Sequence, residues 1–182
     1  AGYAQTTANN NTFLGAYSGS AATTNGNNVG VGYGTLYNST GTSNTAVGYS
    51  AGLSQTTASE NTLIGSGTGR SLTTGQSITA IGRNSLYTAT TASSTVSIGN
   101  STLEDCTTAN GNVCIGDNAG QKITTNGENT YVGLSAGRYQ TGSKNVAFGY
   151  FALNGGSGAT GERNVAIGYE ALLSLTSGSQ NT

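Results

Sequence analysis

The chain has no histidine, proline, methionine or tryptophan, and only 7% of its 182 residues are charged. Without histidine there is no ordinary imidazole base, and no Ser or Cys has a nearby base with a third partner to orient it. The chain therefore reads as a non-enzyme, with no cofactor. Two cysteines and no histidine also fall short of the four ligands of a structural zinc site. Six cationic residues lie scattered against seven acidic ones, a net charge of -1. A surface that tracks phosphates needs clustered Lys or Arg, so nucleic acid is not an expected partner. No apolar run approaches the roughly 18 to 20 residues that span a bilayer, so this segment is not expected to insert into a membrane.

What remains is rich in Gly, Ser, Thr and Asn, with 30 glycines. Such a composition fits a flexible linker. Strict periodicity excludes that reading. A bulky apolar residue followed by glycine recurs at Gly15, Gly32, Gly48, Gly65, Gly82, Gly99, Gly116, Gly133, Gly149 and Gly168, at intervals of 16 to 19 residues. A unit this short is one coil of a solenoid, because it buries its apolar residues only by stacking on the next coil. The expected fold is all-β, a parallel β-solenoid of about ten coils in a single array over residues 1–182. Ala1-Gly2-Tyr3 aligns with Ala51-Gly52-Leu53 in mid-coil, and Gln180-Asn181-Thr182 aligns with the opening of a coil. The array is thus expected to be truncated inside a repeat at both ends.

Five columns define a coil. Just before the glycine stand Leu14, Val31, Val47, Ile64, Ile81, Ile98, Ile115, Val132, Phe148 and Ile167, all apolar and therefore expected to face the interior. Two residues earlier every residue is Thr or Val, which suits a pleated strand. The residue between them points to the opposite face and is often small. Four residues before the glycine, Asn11, Asn28, Asn44, Asn61, Asn112, Asn129, Asn145 and Asn164 are positioned to form a hydrogen-bonded ladder. Eight residues after it, Thr23, Thr40, Thr56, Thr73, Thr90, Thr107, Thr124, Thr141 and Thr176 suggest a second ladder. Turn residues such as Asn25-Gly26 and Asn110-Gly111 close the coil. The 19-residue coil carries a loop insertion at Gly155-Gly156-Ser157-Gly158. The pattern predicts two strands per coil, one at the glycine and one at the Thr column.

Asn44-Thr45-Ala46-Val47-Gly48-Tyr49-Ser50-Ala51-Gly52 and Asn164-Val165-Ala166-Ile167-Gly168-Tyr169-Glu170-Ala171-Leu172 resemble the repeats of phage tail-fibre proteins, especially those with an endosialidase-type chaperone. They are also similar to head repeats of trimeric autotransporter adhesins, although the adhesin repeat is shorter, near 14 residues. The adhesin resemblance implies a left-handed β-roll, three chains to a rod, and attachment to a surface. Function is then expected to be structural: a rigid extracellular, cell-surface or virion rod. The alternative is the subunit of an extracellular filament that polymerises by end-to-end β-stacking. The expected partners are copies of the chain itself, as homotrimer or polymer, and a cell-surface glycan or receptor.

Other features carry competing readings. Cys106 and Cys114, with a turn between them, fit either a disulfide or a free Cys114 in the small-residue column of Ala147 and Ala166. Glu104, Asp105 and Asp117 read as solvated loop carboxylates rather than a calcium site. Regular Thr rows suggest ice binding, but adjacent pairs such as Thr56-Thr57 point to opposite faces, and one outward column is not an ice-like array. Tyr33, Tyr49, Tyr150 and Tyr169 follow the glycine, where rings stack either on sugars or between coils.

Overall fold

The computed structural model describes residues 1–182 apart from Asn25 and Ala109, so the expected Asn25 turn lies outside the described residues. Ten three-residue strands form one parallel sheet in chain order. They are β1 (Thr12–Leu14), β2 (Val29–Val31), β3 (Thr45–Val47), β4 (Thr62–Ile64), β5 (Thr79–Ile81), β6 (Val96–Ile98), β7 (Val113–Ile115), β8 (Thr130–Val132), β9 (Val146–Phe148) and β10 (Val165–Ile167). Each pairs only with its sequence neighbours, in a register that places like columns over one another, as in Val47↔Ile64 and Ile81↔Ile98. The architecture is a β-solenoid.

Among the described residues the expected second strand at the Thr column is reduced to one isolated parallel bridge, Gln140↔Ala159. After each glycine the backbone turns instead of extending. In the first coil, Ser18 N–H donates to Gly15 O, Ser20 to Tyr17 O and Ala22 to Gly19 O, a run of overlapping turns. The second and fourth residues after the repeated glycine take left-handed φ in every coil, as at Ser50 and Gly52 or Asn84 and Leu86. A positive φ at the second central position is the mark of a type II turn, and a backbone that alternates in this way cannot be a strand. The turns still bond to the coils above and below, for example Gly52 N–H to Thr68 O and Ser54 N–H to Arg70 O.

Burial reverses the expected inside and outside of the strand. The row Val31, Val47, Ile64, Ile81, Ile98, Ile115, Val132, Phe148 and Ile167 stacks in register, but it lies on the outer face with the Thr/Val row. Ile64, Phe148 and Ile167 are 37%, 43% and 71% exposed. The strand's middle residue points inward: Ala46, Leu63, Ala80, Ser97, Cys114, Tyr131 and Ala147 are fully buried. The physical reason is that a coil this thin has no room for a stacked row of Ile and Val together with the turn side chains opposite.

The interior is filled by a trade-off between two columns. Where the strand centre is Leu63, Cys114 or Tyr131, the fourth residue after the glycine is Gly69, Gly120 or Gly137. Where it is Ala80, Ser97 or Ala147, that position is Leu86, Leu103 or Leu153, each fully buried. A Cβ on Gly69 would lie 3.1 Å from the Leu63 side chain, one on Gly120 2.9 Å from Cys114 Sγ, and one on Gly137 would strike the Tyr131 ring. The third coil has small residues at both places, Ala46 and Gly52, and the space is shared by Gln55 with Leu36 and Leu63 of the coils on either side. The Leu residues pay for this with left-handed backbone (φ 53° at Leu86, 51° at Leu103), a strain of roughly 1–2 kcal/mol each. Burial of the leucyl side chain, worth about 1.5–3 kcal/mol, offsets it.

Candidate functional site

The Asn column forms the expected ladder, and it is internal. Asn44 N–H donates to Asn28 Oδ1 (2.9 Å), Asn61 N–H to Asn44 Oδ1 (3.1 Å), Asn145 N–H to Asn129 Oδ1 (2.9 Å) and Asn164 N–H to Asn145 Oδ1 (2.9 Å). The amide nitrogens donate to corner carbonyls, such as Asn44 Nδ2 to Ala58 O and Asn145 Nδ2 to Gly161 O, both 2.9 Å. Ile78 and Thr95 interrupt the column, and Ile78 N–H still reaches Asn61 Oδ1 at 3.0 Å. Asn11 and Asn112 accept in the same way from Asn28 and Asn129. These groups are consumed in holding coils together.

The Thr column is also a ladder, at the surface. Five successive hydroxyls donate to the main-chain carbonyl of the next coil: Thr40 to Thr56, Thr56 to Thr73, Thr73 to Thr90, Thr90 to Thr107 and Thr107 to Thr124, at 2.9 to 3.3 Å. Thr23 accepts from Thr6 in the same manner. The insertion does not break it, because Thr141 donates to Ala159 O and Thr160 N–H to Thr176 O. Gly156 and Gly158 have no neighbour close enough to crowd an added Cβ, so the extra residues loop away from the coil.

Cys106 and Cys114 are buried and are not joined in a disulfide. Cys114 sits in the strand-centre column, and burial, with Cys106 beside it, holds its thiol far above the ordinary range. Burial likewise raises Tyr131, whose hydroxyl donates to Asn129 Oδ1 at 3.2 Å. Glu104 accepts from Gln121 Nε2 (2.8 Å), Asp105 pairs with Lys122 (2.7 Å), and Asp117 accepts the Asn100 N–H (3.0 Å). Among the described residues no group of three His, Cys, Asp or Glu is placed to hold a metal ion.

Two surfaces remain uncommitted. One is the outer face of the sheet, a strip two residues wide and about 43 Å long at about 4.8 Å per coil. It carries the Val/Ile row and the Thr/Val row, with no charged side chain on any strand. The other is the rim after the glycine. Tyr33 and Tyr49 stack with centroids 5.3 Å apart, Tyr17 meets Tyr33 edge-on at 5.5 Å, and Tyr150 stacks on Tyr169 at 5.2 Å. These rings pack between coils and remain exposed, Tyr49 at 60%. Beside the first group lies an open groove of about 490 Å³, which continues into a second hollow of about 280 Å³. Sequence reasoning found the rings but missed the groove, whose signal was the run of small residues Gly34, Ser50 and Gly67 between two bulkier columns. The chain matches no protein-family model, no curated protein and no solved structure.

Proposed function

We propose that this chain is a segment of an extracellular or virion fibre, a stiff rod that associates with two further copies of itself to space or present an attachment site. The observation that supports this is the bare sheet face. A continuous row of Val, Ile, Leu and Phe runs over ten coils on a single chain, with Leu14, Ile64, Phe148 and Ile167 exposed and the other six half-buried. Contiguous apolar strips of this kind mark interaction surfaces. Strict register makes the strip self-complementary in length, so copies of this chain are its natural cover. The mechanical role follows from the inter-coil bonding. Backbone bonds, the Asn ladder and the Thr ladder all run along one axis, so bending the rod strains many hydrogen bonds at once.

Sedimentation velocity tests the assembly. The expected species is a discrete trimer of about 54 kDa, three chains of 18.0 kDa. Ile98→Arg, at the middle of the strip, is expected to yield folded monomer. Wild-type chain that remains monomeric at high concentration refutes the proposal, and open-ended polymers favour the filament reading instead.

The same face supports a second reading, ice binding. Thr45, Thr62 and Thr79 stand one residue from Val47, Ile64 and Ile81 on a regular outward array, which the adjacent Thr pairs do not provide. The aliphatic second row favours contact between chains. Thermal hysteresis from the isolated chain is the outcome that reverses the preference.

A further inference from the structure

The groove beside Tyr17, Tyr33 and Tyr49 has a definite chemistry. One wall is Tyr33 and Tyr49, each directly after the repeated glycine, and the other is the column Tyr37, Leu53 and Arg70; Tyr17, in the column of the floor, stands between Tyr33 and Tyr37 at one end. The floor is Gly34, Ser50 and Gly67, small residues in left-handed turns. The two hollows share Tyr49, Ser50 and Arg70, so they form one channel along the solenoid axis toward Tyr87. Coils stack at about 4.8 Å, so from Tyr17 to Tyr87 the channel runs roughly 19 Å.

Charge selects the occupant. Neither hollow is lined by a carboxylate. Arg70 is exposed, and the ion pairs among the described residues, Lys122–Asp105 and Lys144–Glu128, do not include it. Its guanidinium is held in place, because Nη1 donates to the Tyr87 hydroxyl at 2.9 Å and Cζ lies 5.6 Å from that ring centroid. Its remaining N–H groups are a fork suited to a carboxylate. A single fixed cation is too little for a polyphosphate backbone, which is bound through many. Tyr33 is packed between Tyr17 and Tyr49, whereas Tyr49 has no further ring on the side where it lines the second hollow with Ser66 and Arg70. That open side, a Ser and Asn-bearing border and an elongated open shape suit a linear chain of sugar rings, whose C–H faces pack on tyrosine while hydroxyls meet the polar groups.

We propose that this channel binds a linear oligosaccharide that carries carboxylates, with Tyr49 as the stacking platform and Arg70 as the carboxylate contact. This adds a ligand class to the attachment role proposed above, but it does not need the trimer, and its test is separate.

The test is isothermal titration of the whole chain with tetragalacturonate and with neutral cellotetraose, alongside sedimentation of the same samples. Tetragalacturonate is expected to bind at least roughly tenfold more tightly, a factor set by a charge-assisted contact. Tyr49→Ala is expected to weaken both sugars about tenfold or more through loss of the platform. Arg70→Gln is expected to abolish the preference while leaving cellotetraose binding unchanged. Tyr169→Ala, on the distant ring pair, is expected to change neither. All three side chains are exposed, and an unchanged far-UV spectrum verifies each fold. No binding of tetragalacturonate at millimolar concentration overturns the proposal, as does a preference that survives Arg70→Gln. A monomer that binds the acid overturns the fibre assembly and leaves the channel standing.

Discussion

Exchanging the large residue of one coil between its two interior columns tests how the core is filled. Leu86→Gly removes a fully buried leucine, a change that costs about 2–5 kcal/mol for truncation to Ala. It also relieves the left-handed strain at φ 53°, roughly 1–2 kcal/mol, so the net loss is about 0–4 kcal/mol. Ala80→Leu alone inserts three carbons into a filled coil, an overpacking worth about 1–3 kcal/mol. The double variant recreates the Leu63 and Gly69 pairing of the preceding coil. It is expected within about 1 kcal/mol of wild type, so with mid-range single losses of about 2 kcal/mol each the coupling between the two changes is about 3 kcal/mol. Equilibrium unfolding in guanidinium chloride, followed by far-UV circular dichroism, measures all four proteins. Additive losses would show that the two columns fill separate spaces, and the size trade-off would then be coincidence.

Three more outcomes are expected. Gln55 is fully buried and neither amide atom has a protein partner, whereas Leu72 occupies its column in the next coil; Gln55→Leu should stabilise by about 1–3 kcal/mol, and a lower denaturation midpoint would contradict this. Asn145→Ala strips the buried Asn164 N–H of its acceptor and should cost about 1–3 kcal/mol, whereas Thr56→Val, which removes an exposed hydroxyl, should cost under about 1 kcal/mol; equal losses would deny that the Asn ladder is the stronger one. The folded state keeps the Cys114 and Tyr131 protons that the unfolded chain releases above their ordinary 9.0 and 10.0. Stability is therefore full below about pH 9 and declines as pH rises further. Cys114→Ala should make that decline shallower in alkaline unfolding curves, and an unchanged slope would count against it.

Much of this was legible in the sequence. The repeat length fixed the coil, and the Asn and Thr columns announced ladders that the structure forms. Which face of the strand lies inside was not legible by the rule applied to it. Alternation separates Val47 from Ala46 but does not say which is buried, and the more apolar row was assigned to the interior. That rule assumes a core wide enough for the largest side chains. Here the interior is so narrow that its strand residue must vary with the turn residue opposite, so the inner column looks irregular when read alone. Read in pairs, Leu63 with Gly69 and Ala80 with Leu86, it is regular. The second strand failed for a different reason: positive φ at non-glycine positions such as Ser50 and Leu86, which leaves little trace in residue type, commits the segment before the Thr column to turns, and beside that column only an isolated bridge forms.

Because each coil balances its own large and small residues, it arrives as a finished part. Duplicating or deleting seventeen codons would lengthen or shorten the rod by one layer without asking neighbouring layers to be redesigned. Reach can therefore be tuned by recombination between repeats, in steps of about 4.8 Å, while the rest of the molecule stays as it was.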